Sequence, residues 1–168
     1  MAAQTFEALW KWTDEGKLPV VTDASSCALG LVEDVALDKL TVLDSIQWAH
    51  DTLLPRLRVQ DRLATVAVHP TCSARHLGLG GRMKTLAGAL AEDVYTPPSA
   101  FCCGFAGDRG FLHPELPEAA TADEAAELSG RNFDAHLCSN RTCEIGLQQG
   151  TGASYESFVF TLEELTRP

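Results

Sequence analysis

Apolar positions along this chain recur in two rhythms. Short runs rich in β-branched and apolar residues, Val20-Val21-Thr22-Asp23-Ala24, Leu63-Ala64-Thr65-Val66-Ala67-Val68 and Phe133-Asp134-Ala135-His136-Leu137, read as strands, and an extended piece surrounds Asp93-Val94-Tyr95. Between them, apolar residues spaced by three and four predict helices. Phe6, Leu9 and Trp10 mark a helix over 5–15 that stops at Gly16. Leu40, Leu43, Ile46, His50, Leu53 or Leu54, and Leu57 mark a long amphipathic helix, and Met83, Leu86 and Leu90 mark another. A helix over about 118–128 ends at Gly130, and Tyr155, Phe158, Val159, Leu162 and Leu165 predict the last one. Strands that alternate with helices imply parallel pairing through crossover helices, so the expected class is α/β, an open, mostly parallel sheet flanked by helices. The 63–68 run is apolar enough to be covered on both faces. No solenoid-type repeat, low-complexity tract or dividing linker breaks the pattern, and residues 1–168 read as one domain.

Composition narrows the class. With 168 residues, 45% of them hydrophobic, and a mean hydropathy of -0.03, the chain can bury a sizeable core. Its formal charge of -10, from 13 basic and 23 acidic residues, argues against nucleic acid, whose binders carry a positive footprint. No stretch reaches the roughly 18 apolar residues of a membrane span, and the first residues lack a signal peptide's basic-then-apolar layout. The expectation is a cytoplasmic chain that does not span a membrane. Six cysteines in such a compartment serve metals, redox chemistry or burial rather than structural disulfides.

The cysteines occupy particular places. Cys27, Cys72 and the pair Cys138/Cys143 directly follow predicted strands, and Cys102-Cys103 follow an extended approach. In an open parallel sheet these positions share the carboxyl edge, where such folds bind ligands, so the cysteines are expected to gather there. Helices that start beside Cys27, Cys72 and Cys143 would aim amide N–H groups at the site and favour thiolates. An adjacent Cys-Cys pair on a strand would point to opposite faces; a tight turn built with Gly104 and Gly107 would let both point inward. Phe101 and Phe105 are expected to wall the site from water.

Other residues carry weaker signals. Cys138 reads first as a thiol buried at a strand end, and Ser25-Ser26-Cys27 has a second reading as a helix cap. His69, before a proline, either orders a turn or hydrogen-bonds a sulfur. Asp108-Arg109 suggests a local ion pair that fixes the loop. Gly78, Gly80 and Gly81 form a turn without the Lys-Ser/Thr of a phosphate loop. His50 reads as packing, and His76, His113 and His136 carry no signal.

Taken in order, Asp23-Ala24-Ser25-Ser26-Cys27, His69-Pro70-Thr71-Cys72, Cys102-Cys103-Gly104-Phe105-Ala106-Gly107-Asp108-Arg109-Gly110 and Ser139-Asn140-Arg141-Thr142-Cys143-Glu144-Ile145-Gly146 resemble the cysteine-rich domain family with a Cys…Cys-Cys-Gly…Cys-x-x-Cys signature. That family includes the heterodisulfide reductase cluster subunit, the glycolate oxidase iron–sulfur subunit and the tail of FAD-linked D-lactate dehydrogenases. The tail is the nearest likeness, and it covers nearly the whole chain. The resemblance implies Cys72, Cys102, Cys103 and Cys143 as ligands of a 4Fe-4S type cluster, with Cys27 a fifth sulfur and His69, Gly104, Phe105, Asp108, Arg109 and Asn140 around them. Where the signature's Cys-x-x-Cys begins, this chain has Asn140, with Cys138 two residues earlier, and this puts Cys138 in doubt as a ligand.

The resemblance further implies the carboxyl-terminal fragment of a larger flavin-dependent oxidoreductase that passes electrons from FAD, bound elsewhere, towards a quinone or cytochrome. Its partners would be the flavin-binding domain or subunit and that acceptor, with peripheral attachment at the inner face of the cytoplasmic membrane compatible. The isolated chain, with no catalytic residue of its own assigned, would not oxidise a hydroxy acid. Two other readings stay open: a zinc-binding structural domain, zinc being also an occupant acquired in air, and a thiol–disulfide reductase module.

Overall fold

The computed structural model describes residues 1–36 and 38–168. The elements run α1 (Ala2–Trp12), β1 (Val20–Thr22), α2 (Ser25–Asp34), β2 (Val42–Asp44), α3 (Ser45–Trp48), a π-helical turn (Ala49–Leu53), β3 (Leu63–Val68), α4 (Cys72–His76), α5 (Gly80–Leu90), β4 (Ala91–Tyr95), α6 (Arg109–Leu112), α7 (Glu115–Leu128), β5 (Ala135–Cys138), α8 (Arg141–Thr151), β6 (Tyr155–Ser157) and α9 (Phe158–Thr166). The class is α/β, with every strand pair parallel. Instead of one sheet there are two, a β1-β2 pair and a four-stranded sheet ordered β4-β3-β5-β6.

The alternation of side chains on the larger sheet makes three layers. Val66, Val68 and Leu137 face Ile46, Met83, Leu86, Leu90, Phe158 and Leu162 from α3, α5 and α9. Ala67, Cys138 and Tyr155 face the opposite way, against Leu128 of α7, Leu147 of α8 and the 103–105 loop. The central strand β3 is thus covered on both faces, as its apolar run requires.

Two expected helices begin as strands. The stretch from Leu40 to Leu57 opens with β2 and turns helical only at Ser45, where Asp44 Oδ1 accepts the Ile46 N–H at 2.7 Å and caps α3. Tyr155 likewise belongs to β6, and Ser157 caps α9. Three-residue strands are too short to show a period of two, so the helical spacing beyond them absorbed them.

These strands also reveal an internal correspondence. The units β1-α2-β2-α3 and β5-α8-β6-α9 share one order of elements. Ser26-Cys27-Ala28-Leu29-Gly30-Leu31 matches Thr142-Cys143-Glu144-Ile145-Gly146-Leu147 in both pattern and place. Asp23 Oδ1 joins the units by accepting from Ser45 Oγ (3.0 Å) and Ser157 Oγ (3.1 Å). Among the described residues no helix is long and apolar enough to cross a membrane.

Candidate functional site

The order β4-β3-β5-β6 reverses direction between β3 and β5. From β3 the chain leaves towards α5 on one face, and from β5 it leaves towards α8 on the other. A crevice opens at the carboxyl ends of two such strands. Cys72, the first residue of α4, and Cys143, in the first turn of α8, stand on its two sides.

A cavity of about 190 Å³ occupies this crevice, walled by Cys72, Cys102, Cys103 and Cys143 together with Phe105 and Asn140. Four of the six cysteines, 71 residues apart at the extremes of sequence, therefore meet at one place. They form two tiers. Cys72 and Cys102 are exposed, whereas Cys103 and Cys143 retain 5% and 4% of their surface. The Cys103 thiol donates to Cys143 Sγ at 2.9 Å.

The 102–110 loop delivers the paired cysteines by a tight turn, as expected. Gly104 sits at φ +69°, and a Cβ there would fall 2.6 Å from both Leu116 O and Ala120 Cβ, so only glycine fits. Its N–H donates to Cys102 Sγ at 3.5 Å. Phe105 is buried and lies over Gly110, where a Cβ would come within 2.4 Å of its ring. Phe101, in contrast, is 66% exposed and lies beneath the Arg75 guanidinium, so it does not wall the site. Asp108 and Arg109 are both exposed, and among the described residues no ion pair joins them; the loop is fixed instead by Gly110 N–H donating to Phe105 O.

Cys27 and Cys138 stand apart from the wall. Cys27 is exposed in the first turn of α2, and it is its neighbour Ser26 that lines the cavity, with Ser26 Oγ donating to Asn140 Oδ1 at 3.2 Å. Cys138 is fully buried behind Cys143. Asn140, at the position where the signature has a cysteine, donates through Nδ2 to Cys143 Sγ at 3.4 Å.

The electrostatics hold Cys72, Cys103 and Cys143 neutral. The Cys103 thiol is pushed well above its ordinary value by the bond to Cys143 and then by burial. Cys143 is pulled down by Cys103 but pushed up further by Cys138 and by burial, and ends raised. Burial, then the nearby Cys102, raises Cys72. Backbone N–H groups act against this, those of Cys72 and Ser73 at the start of α4 on Cys72 and those of Cys103 and Phe105 on Cys103, and a bound cation would complete the reversal. Among the described residues no three Cys, His, Asp or Glu side chains converge tightly enough to grip one metal ion.

The sequence left two supporting networks unread. Ser25, Ser139, Thr71 and Ser73 form a buried hydroxyl chain, with contacts of 2.9 Å (Ser25–Ser139), 3.2 Å (Ser139–Thr71) and 3.4 Å (Thr71–Ser73). It ties the starts of α2, α4 and α8, the three helices that carry Cys27, Cys72 and Cys143. The signal was present: Thr71 and Ser73 flank Cys72, Ser139 directly follows Cys138, and Ser25 stands two residues before Cys27. The second network is His69 Nδ1 bonded to Glu124 Oε2 (2.8 Å), with Tyr155 Oη donating to Glu124 Oε1 (2.9 Å), all three buried. His69 therefore meets a carboxyl group through Nδ1, and its Nε2 is buried without a partner.

A parallel α/β domain with a sulfur-lined cavity at its topological switch point is the class that fold and site define. Residues 66–148, from β3 through most of α8, match the family model of the cysteine-rich domain, CCG. This match supports the Cys-Cys-Gly family for the stretch that holds Cys72, Cys102, Cys103, Cys138 and Cys143, and it is consistent with metal or iron–sulfur binding. No curated protein matches the chain.

Proposed function

We propose that the chain is an iron–sulfur electron-transfer domain in which Cys72, Cys102, Cys103 and Cys143 hold the cluster. The observation that carries this is the shared cavity: four sulfurs from three separate chain segments line it. The donor set is all thiol, soft and anionic once deprotonated, which suits iron–sulfur chemistry and excludes hard cations. A cluster supplies one-electron storage; the chain's part is ligation, burial and hydrogen bonds to sulfur. Gly104 N–H and Asn140 Nδ2–H give those bonds to Cys102 and Cys143, and Phe105 shields the inner tier from water. Cys27, at the place in its unit that Cys143 holds in the other, is proposed as a fifth sulfur that reaches the site through Ser26 and a shift of the α2 start.

The wider reading follows the family likeness: a domain of an FAD-linked dehydrogenase for 2-hydroxy acids of the D-lactate or glycolate type, receiving electrons from a flavin domain or subunit and passing them to a quinone or cytochrome. A lone structural zinc is less favoured, because zinc would draw four sulfurs to about 2.3 Å from one point, and the cysteines here wall a cavity instead.

The test is anaerobic reconstitution of the chain with ferrous iron and sulfide. Iron and acid-labile sulfide should bind in near-equal amounts with a visible absorption band that bleaches on reduction. Cys102→Ser and Cys143→Ser should each lose most of it. An unchanged spectrum in both variants, or stoichiometric zinc with no iron in anaerobic material, would defeat the reading.

A further inference from the structure

We infer that Cys103 and Cys143 are a redox pair of the metal-free chain: a small peroxide entering the cavity converts them, and no other two cysteines, to a disulfide. Their sulfurs rest 2.9 Å apart, less than about 1 Å beyond the bond length of about 2.05 Å. A direct sulfur–sulfur hydrogen bond joins them, whereas Cys138, buried behind Cys143, turns its thiol to Asn140 O at 3.9 Å. The adjacent Cys102 and Cys103 are divided between tiers, one exposed and hydrogen-bonded to its own loop amide, the other turned inward.

Access and neighbours fit the step. Both sulfurs line the cavity of about 190 Å³ that opens past the exposed Cys72 and Cys102, so an oxidant of two heavy atoms can enter where a folded protein or a bulky disulfide cannot. The Asn140 amide hydrogen at Cys143 Sγ stabilises negative charge on that sulfur and makes it the first nucleophile. Its thiolate attacks one peroxide oxygen, the O–O bond breaks, and hydroxide leaves with the sulfur's proton to form water, giving a sulfenic acid. Cys103 then attacks the Cys143 sulfur, a second water leaves, and the disulfide closes. The two thiols lose two electrons and two protons in all, and one peroxide becomes two waters.

Both sulfurs are buried, at 5% and 4% of their surface, so the oxidation should be slow compared with that of an activated peroxidatic cysteine, which is partly exposed. Its consequence is a lock: with two of the four wall sulfurs bonded to one another, the cavity cannot ligate metal until they are reduced. The inference concerns the metal-free chain and stands or falls separately from the cluster assignment.

The experiment uses the reduced, chelator-treated chain and one equivalent of hydrogen peroxide. Free thiols should fall from the six of the sequence to four, with an intact mass lower by two hydrogen atoms and one cross-linked peptide pair joining Cys103 to Cys143. Cys102→Ser should leave that link in place; Cys103→Ser and Cys143→Ser should abolish it. A link mapped to Cys102–Cys103 or Cys138–Cys143 in the unmodified chain, or six free thiols after hours of exposure, overturns the inference without any recourse to variants. A correct link in a chain that, when reduced, takes up no iron would retain this inference and remove the cluster assignment; iron uptake without the link would do the reverse.

Discussion

At the scale of single residues, two of the buried carboxyl groups, Glu124 and Asp44, differ in the partners they meet. Glu124 receives Tyr155 Oη on one oxygen and faces His69 Nδ1 on the other. Glu124→Gln keeps the volume but presents an N–H₂ donor to Tyr155 or to His69, so either Tyr155 loses its acceptor or the imidazole must take up the tautomer that accepts at Nδ1. The expected loss is about 1–3 kcal/mol in urea unfolding. Glu124→Leu removes both acceptors at once and should cost more, about 3–5 kcal/mol. Equal stability of the two variants would mean that the network carries no specific energy. Asp44 is the contrasting case. It is 2% exposed, its Oδ2 has no partner, and burial raises it above its ordinary value of 3.8. Ionising it is harder in the folded chain than in the unfolded one. Its contribution is therefore fully present below 3.8 and is lost as pH rises through the raised folded value. Asp44→Asn can still cap α3 and cannot ionise. Its stability relative to the parent should climb across that window and level off towards neutrality, which unfolding midpoints at a series of pH values will read. A difference that is flat with pH would refute the assignment.

At the scale of elements, the crossing of α7 and α8 decides how closely Cys143 approaches the 103–105 loop. A Cβ on Gly150 would lie 1.9 Å from Thr121 Oγ1 and 2.9 Å from Pro117 O, atoms already bonded to each other at 2.8 Å. Gly150→Ala must push the helices apart, and overpacking of this kind costs about 1–3 kcal/mol. Gly88, on the exposed side of α5, has nothing within 4 Å of the same position, so Gly88→Ala should gain about 0.4–1 kcal/mol through the stiffer unfolded chain. Thermal unfolding of the pair should move in opposite directions, and only the first variant should also weaken metal uptake. The elements differ in how far sequence revealed them. β3 was legible because six apolar or β-branched residues alternate faces, and the gathering of Cys72, Cys102, Cys103 and Cys143 was legible because Cys72 and Cys143 come after strands and the adjacent pair after an extended approach, although the same argument also expected Cys27 and Cys138, which stand apart from the cavity. β2 and β6 were not, since three residues carry no period and parallel pairing with β1 and β5 is a tertiary choice. The inward face of α7 was hidden for another reason: Pro117, Thr121, Glu124 and Leu128 have helical spacing, but two of the four are polar, and hydrophobic patterning cannot register a polar core.

At the scale of the whole molecule, two β-α-β-α units and the intervening cysteine loop bring four sulfurs to one cavity, though among the described residues no three of them stand close enough to grip a metal ion. Cys72, Cys103 and Cys143 all sit above the ordinary thiol value, so the chain meets a metal as neutral thiols. Ligation must then displace protons, and the bound state is favoured by rising pH. Each thiol that gives up its proton on binding should contribute about a tenfold gain in apparent affinity per pH unit. Cobalt(II), titrated into the reduced chain between pH 6 and pH 8, offers a probe whose thiolate absorption reports sulfur ligation directly. A slope of more than one decade per pH unit is expected, and Cys103→Ser should flatten it. Binding also adds stability by mass action, about 2.7 kcal/mol when free metal exceeds its dissociation constant a hundredfold. A chelator should therefore lower the unfolding temperature of loaded protein while leaving that of the metal-free chain unchanged. Affinity that does not vary with pH would mean that the metal meets thiolates already formed, and the neutral inner tier would have to be abandoned.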